Sequence, residues 1–219
     1  MFPDTDDVAG RVRVKICGVT NLEDAEAAIA AGADALGFNC YRGSKRYVNL
    51  AATADWIAKL PENVAKVAVV VDLSFTEAQA IAKLPFISAL QLHGRETPEF
   101  CARLAAEGIL FSKALPAGDP ASLRQARSYS TTTIVLDSAS GNAFGGTGTT
   151  FDWRIAAQFV DANPTSRLVL AGGLTPENVR DAVRIGRPFG VDVTSGVEAS
   201  PGRKDHALLR AFIDAARTA

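Results

Sequence analysis

Apolar positions recur along the chain in two rhythms that take turns. Val12-Arg13-Val14-Lys15-Ile16-Cys17 alternates with period two, so Lys15 and Cys17 share one face of a strand and Val14 and Ile16 the other. Gly18 ends the run, Thr20 or Asn21 offers an N-cap oxygen, and Leu22 to Ala31 reads as a helix with Glu23 and Asp24 in its first turn, where the helix dipole favours acids. Strand and helix form one unit, and the unit repeats. Further strands are predicted at 34–39, 67–71, 89–92, 109–114, 133–137, 167–171 and 190–194. Helices are predicted near 51–60, 76–84, 98–108, 121–128, 151–160, from 175 onward and over 204–216, with Pro61 and Pro85 stopping two of them. Eight alternations predict a single α/β domain over residues 11–219, a (β/α)8 or TIM barrel, with residues 1–10 as a loose leader. In such a closed parallel barrel the Lys15 and Cys17 face lines the interior, and Val14 and Ile16 pack beneath helices.

Composition narrows the function classes. At 219 residues, 47% hydrophobic and 21% charged, the chain has the balance of a globular protein with one sizeable core. A net charge of -1 argues against a broad nucleic-acid-binding surface, while leaving room for a few cations aimed at a small anion. Cys17, Cys40 and Cys101 are odd in number and lack C-x-x-C spacing, so neither a disulfide framework nor a zinc site is indicated. The acidic first residues lack an apolar signal region and no later run reaches membrane-spanning length, from which a soluble, cytoplasmic protein without a membrane partner is expected.

Chemistry-bearing residues fall at strand ends, where barrel enzymes gather their sites. The first strand ends in Cys17, the fourth in His93 and the sixth in Asp137. For His93 a structural and a functional reading weigh about equally. Gly172-Gly173 and Ser195-Gly196 follow strands seven and eight, where backbone N–H groups commonly bind phosphate. Between Ser138 and Thr150 runs a long glycine-rich loop that matches neither the P-loop nor the dinucleotide fingerprint; it reads either as a binding loop or as a flexible tip. Arg42, Lys45 and Arg46 cluster after the second strand, as a solvated loop or as cations presented to an anionic substrate.

Taken together, Lys15-Ile16-Cys17-Gly18, Gln91-Leu92-His93-Gly94, Leu136-Asp137-Ser138, Gly145-Gly146-Thr147-Gly148 with Phe151-Asp152-Trp153, Ala171-Gly172-Gly173-Leu174, and Val191-Asp192-Val193 through Ser195-Gly196-Val197-Glu198 resemble the phosphoribosylanthranilate isomerase family of tryptophan biosynthesis. The resemblance covers nearly the whole chain after the leader. It implies a cofactor-free and metal-free Amadori rearrangement of a small phosphoribosyl substrate, N-(5-phosphoribosyl)anthranilate, to 1-(2-carboxyphenylamino)-1-deoxyribulose 5-phosphate. By resemblance Asp137 is the general acid that opens the furanose ring and Cys17, as thiolate, the general base that takes the C2 proton. Arg46 then pairs with the anthranilate carboxylate, His93 and Asp192 are polar substrate contacts, and Gly146, Gly172, Gly173, Ser195 and Gly196 hold the phosphate. One departure is visible: the family commonly has Ser-Pro-Arg where this chain has Ser44-Lys45-Arg46. Two other readings stand beside it. The histidine-pathway isomerase performs the same rearrangement, but its barrel has two similar halves and a first-strand aspartate. A non-catalytic phosphate-sugar binder needs neither Cys17 nor Asp137.

Overall fold

The first strand, β1 (Arg13–Cys17), leads through the cap residue Asn21 into α1 (Leu22–Ala30), and the same step recurs around a ring. It continues through β2 (Ala35–Asn39), α2 (Leu50–Ile57), β3 (Ala65–Val70), α3 (Phe75–Ala82), β4 (Ala89–Leu92), α4 (Pro98–Ala106), β5 (Phe111–Pro116) and α5 (Pro120–Arg124). The second half comprises β6 (Thr133–Asp137), α6 (Arg154–Ala162), β7 (Arg167–Leu170), α7 (Val179–Gly186) and β8 (Gly190–Val193). After β8 a short hairpin of β9 (Glu198–Ser200) and β10 (Arg203–Lys204) precedes α8 (His206–Arg217). The structure is a computed structural model, and it describes residues 2, 11–138 and 150–219. The eight long-range strands pair in chain order, all parallel, and β1 closes the ring on β8 with Lys15 opposite Asp192.

Alternation along each strand sorts side chains into two layers. Val14, Ile16, Leu36, Phe38, Leu90 and Leu136 point outward into the core shared with the helices. Ala35, Val67, Ala114, Val135 and Val169 fill the amino-terminal part of the interior as a separate cluster. Phe2, within the stretch read as a leader, joins that cluster and packs edge-on against Phe189 at 5.8 Å. With the lower barrel filled by apolar side chains, the polar residues collect at the carboxyl ends of the strands.

Three local differences from the sequence reading have physical causes. The fifth strand begins at Phe111, because its ladder starts there opposite Leu90 and leaves Leu110 68% exposed. Helix α7 begins at Val179 instead of near Thr175, since the Asn178 side chain accepts from Thr175 N at 2.8 Å and donates to Gly173 O at 2.9 Å, fixing a turn first. Around Pro201-Gly202 the chain forms a hairpin where only a turn was legible.

Asp24, 2% exposed in the first turn of α1, fastens the end of the chain to its beginning. Its carboxylate accepts from Asn21 Nδ2 at 2.8 Å, Lys204 N at 2.9 Å and His206 Nε2 at 2.9 Å. Burial pushes its pKa up, but these donors outweigh burial and hold it below the usual aspartate value. A depressed folded pKa stabilises the fold above the unfolded value of about 3.9 and loses that contribution as pH falls through the folded value. Asp24→Ala is therefore expected to cost roughly 2–3 kcal/mol at pH 7. Urea midpoints of the two proteins should converge as the pH is lowered below about 4.

Candidate active site

At the tip of β1, Lys15 and Cys17 point into the barrel as their spacing requires. The Lys15 ammonium is fully buried and donates to Asp192 Oδ2 at 2.7 Å. Burial alone would lower its pKa, yet Asp192 and the adjoining Cys17 side chain offset this and hold it above the ordinary lysine value. Room for the pair comes from Gly37 in β2: a Cβ there would lie 2.7 Å from Cys17 Sγ and 2.9 Å from Lys15 Nζ. A glycine inside an apolar strand is the sequence signal of such a close approach, and it went unread.

Asp137 ends β6 and is 6% exposed. His93, just beyond β4, brings Nε2 to 3.2 Å from Asp137 Oδ2, and its Nδ1 lies 3.3 Å from Gln91 Nε2. With the Gln91 amide donating to Nδ1, the ring proton resides on Nε2 and points at Asp137. Gln91, 1% exposed, is a further site residue that the sequence reading quoted in a motif without giving it a role.

The glycine pairs lie on neighbouring loops. Gly172 and Gly173 have φ of +85° and +63°, and a Cβ on Gly172 would come within 2.4 Å of Ser138 N. After β8 a single 3-10 turn, Ser195–Val197, presents its amino end to the same space. At Gly196 a Cβ would reach 1.9 Å from Leu174 O, so only glycine lets the two loops meet.

The strand ends and the two loops enclose one pocket of about 350 Å³, a size typical of small-molecule sites, with Lys15 buried beneath its lining. It brings together Cys17, Arg46, His93, Asp137 and Asp192 with the backbone of Gly172, Gly173, Ser195 and Gly196. Gly146, and with it most of the glycine-rich loop, lies outside the described residues. Gln91 Oε1 and Asp192 Oδ1 are buried acceptors with no hydrogen-bond partner among the described residues. Among the described residues no cluster of His, Cys, Asp or Glu has the arrangement of a metal site, and no helix is long and apolar enough to cross a membrane.

A closed (β/α)8 ring carrying an acid, a thiol and glycine-containing loops around one pocket at the carboxyl ends of its strands defines the class of a barrel enzyme acting on a small molecule. Residues 14–215 match the family model for N-(5'phosphoribosyl)anthranilate (PRA) isomerase. The N-(5'-phosphoribosyl)anthranilate isomerase of Geobacter metallireducens is 45% identical over 206 residues, spanning 94% of this chain and 99% of that protein. The crystal structure of phosphoribosyl anthranilate isomerase from Thermotoga maritima superposes with a TM-score of 0.85 at 42% identity, covering 95% of this chain and all of the other. A crystal structure of a phosphoribosyl anthranilate isomerase in complex with reduced 1-(o-carboxyphenylamino)-1-deoxyribulose 5-phosphate superposes with a TM-score of 0.82 at 41% identity, covering 95% of this chain and all of the other. The chain belongs to the phosphoribosylanthranilate isomerase family.

Proposed function

We propose that this pocket converts N-(5-phosphoribosyl)anthranilate into 1-(2-carboxyphenylamino)-1-deoxyribulose 5-phosphate, with Asp137 as general acid and Cys17 as general base. The observation that carries the residue roles is the convergence of Cys17, Asp137 and both glycine-rich loops on one pocket. Protonation of the furanose oxygen by Asp137 lets the ring open to an iminium ion. The Cys17 thiolate then removes the C2 proton, and the resulting enolamine tautomerises to the ketone.

Surrounding groups support these steps. His93 Nε2 lies 3.2 Å from Asp137 Oδ2, close enough to hold the carboxyl group in position at the end of its strand. Lys15 places a buried positive charge beside Cys17 and holds Asp192 in place. The unpaired oxygens of Gln91 and Asp192 suit hydroxyl donors of an opened sugar, since buried acceptors left without partners are costly. In this reading the phosphate binds the backbone of Gly172, Gly173, Ser195 and Gly196 and the anthranilate carboxylate meets Arg46, whose guanidinium offers a planar fork; that all five line the same pocket supports it.

Generating the labile substrate in situ from anthranilate and phosphoribosyl pyrophosphate, then following loss of anthranilate-type fluorescence, tests the reaction directly. In that assay inorganic phosphate should raise the apparent KM and leave kcat unchanged. Inhibition that instead lowers kcat at saturating substrate would move the phosphate away from these loops. No turnover at all would favour the binding-protein reading.

A further inference from the structure

We propose that Glu198 is the positioning residue of the anthranilate subsite: it grips one edge of Arg46 and thereby aims the other at the substrate carboxylate. The inference rests on the assignment of Arg46 given above. Arg46 arises from the loop after β2, and its stem lies over Gly18, where a Cβ would come within 2.6 Å of Arg46 Cδ. Its Nε donates to Glu198 Oε1 at 2.8 Å and its Nη2 to Oε2 at 2.6 Å. That pairing uses the side edge of the guanidinium. Two N–H groups on Nη1 and one on Nη2 remain, and Nη1 has no hydrogen-bond partner among the described residues. An end-on fork of this kind matches a planar carboxylate.

Glu198 is itself fixed. Its Oε1 also accepts from Lys204 Nζ at 3.2 Å and Gly202 N at 3.3 Å. Lys204 is wholly committed, because its remaining hydrogens go to Cys17 O at 2.6 Å and Thr194 O at 3.0 Å. The ammonium therefore has no donor left for a ligand, and its contribution is to lock the carboxylate that locks Arg46. The same lysine ties this clamp to the strand end bearing Cys17. Charge balance fits the task as well: two cations around one carboxylate leave the cluster net positive, so a second carboxylate is attracted to it. A free arginine on a loop would lose rotamer freedom on binding, and the clamp removes that loss beforehand.

Steady-state kinetics of Glu198→Gln, Arg46→Ala and the double variant, with melting temperatures alongside, test the clamp. Glu198→Gln is expected to raise KM roughly tenfold and change kcat less than about twofold, a loss of binding shared by ground and transition states. The inhibition constant of inorganic phosphate should stay at the wild-type value, because phosphate does not use Arg46. Arg46→Ala should raise KM at least as much, and adding Glu198→Gln to it should raise KM little further, since both remove one interaction. Arg46→Lys gives a second measure that leaves Glu198 intact: an ammonium cannot offer two edges, so KM should rise there too. An elevated KM in Arg46→Ala with a wild-type or lowered KM in Glu198→Gln overturns the clamp alone. A wild-type KM in Arg46→Ala overturns the subsite assignment and the clamp together.

Discussion

Asp137→Asn is expected to lower kcat by about 10²- to 10⁴-fold, the range general acid catalysis supplies, while the protein stays folded. Asparagine keeps the shape of the side chain at the end of β6 and can still accept from His93 through its amide oxygen. What it cannot do is release a proton to the furanose oxygen. KM should change far less than kcat, because the lost interaction belongs to the transition state. Circular dichroism and a melting curve run beside the fluorescence assay separate this outcome from simple unfolding. Turnover near the wild-type rate would take the acid role from Asp137, with His93 as the next candidate by position.

Cys17→Ser is expected to be comparably damaging for the opposite half of the reaction. Serine nearly matches cysteine in size and fits between Lys15 and Gly37, so the barrel and substrate binding should survive. Its hydroxyl is far less acidic than a thiol and gives almost no alkoxide at neutral pH to take the C2 proton. A chemical experiment checks the same assignment. Burial pushes the Cys40 thiol up to about 12 and the Cys101 thiol up to about 11, so both remain protonated at neutral and mildly alkaline pH. Alkylation that inactivates the wild type should accordingly map to Cys17, and bound substrate should slow it. Activity close to wild type in a folded Cys17→Ser protein would make Cys17 a small packing residue and place the base elsewhere at the barrel mouth.

The architecture was readable because each strand carries its own punctuation. Period-two runs ending in a reactive or flexible residue marked the eight strands and, in the first of them, the inward face of Lys15 and Cys17; His93 and Asp137 were legible only as strand-end residues, and Asp192 only through the family resemblance. Boundaries shifted where side chains outvoted periodicity, as when Asn178 fixed a turn ahead of α7. Partnerships across the ring were less legible. Nothing in the spacing of Lys15 and Asp192, or of Arg46 and Glu198, announces that they meet, since closure of the barrel alone brings them together. Gly37 marks the reverse case, a local signal whose meaning depends on the neighbouring strand filling the space it leaves.

Closure of β1 on β8 has a consequence for biosynthesis. The first strand bears Cys17, yet the groups that frame it, Asp192, Glu198 and Lys204, are translated last, and Lys204 reaches back across 187 positions to the Cys17 carbonyl. A ribosome that has made β1 through β7 has made the acid, the thiol and the first glycine pair without making a site. Such a nascent chain leaves the buried Lys15 without its counter-ion and the edges of β1 and β7 unpaired, a state that invites association with other chains. Catalytic competence and protection of those edges thus arrive in one late event, the docking of the eighth strand.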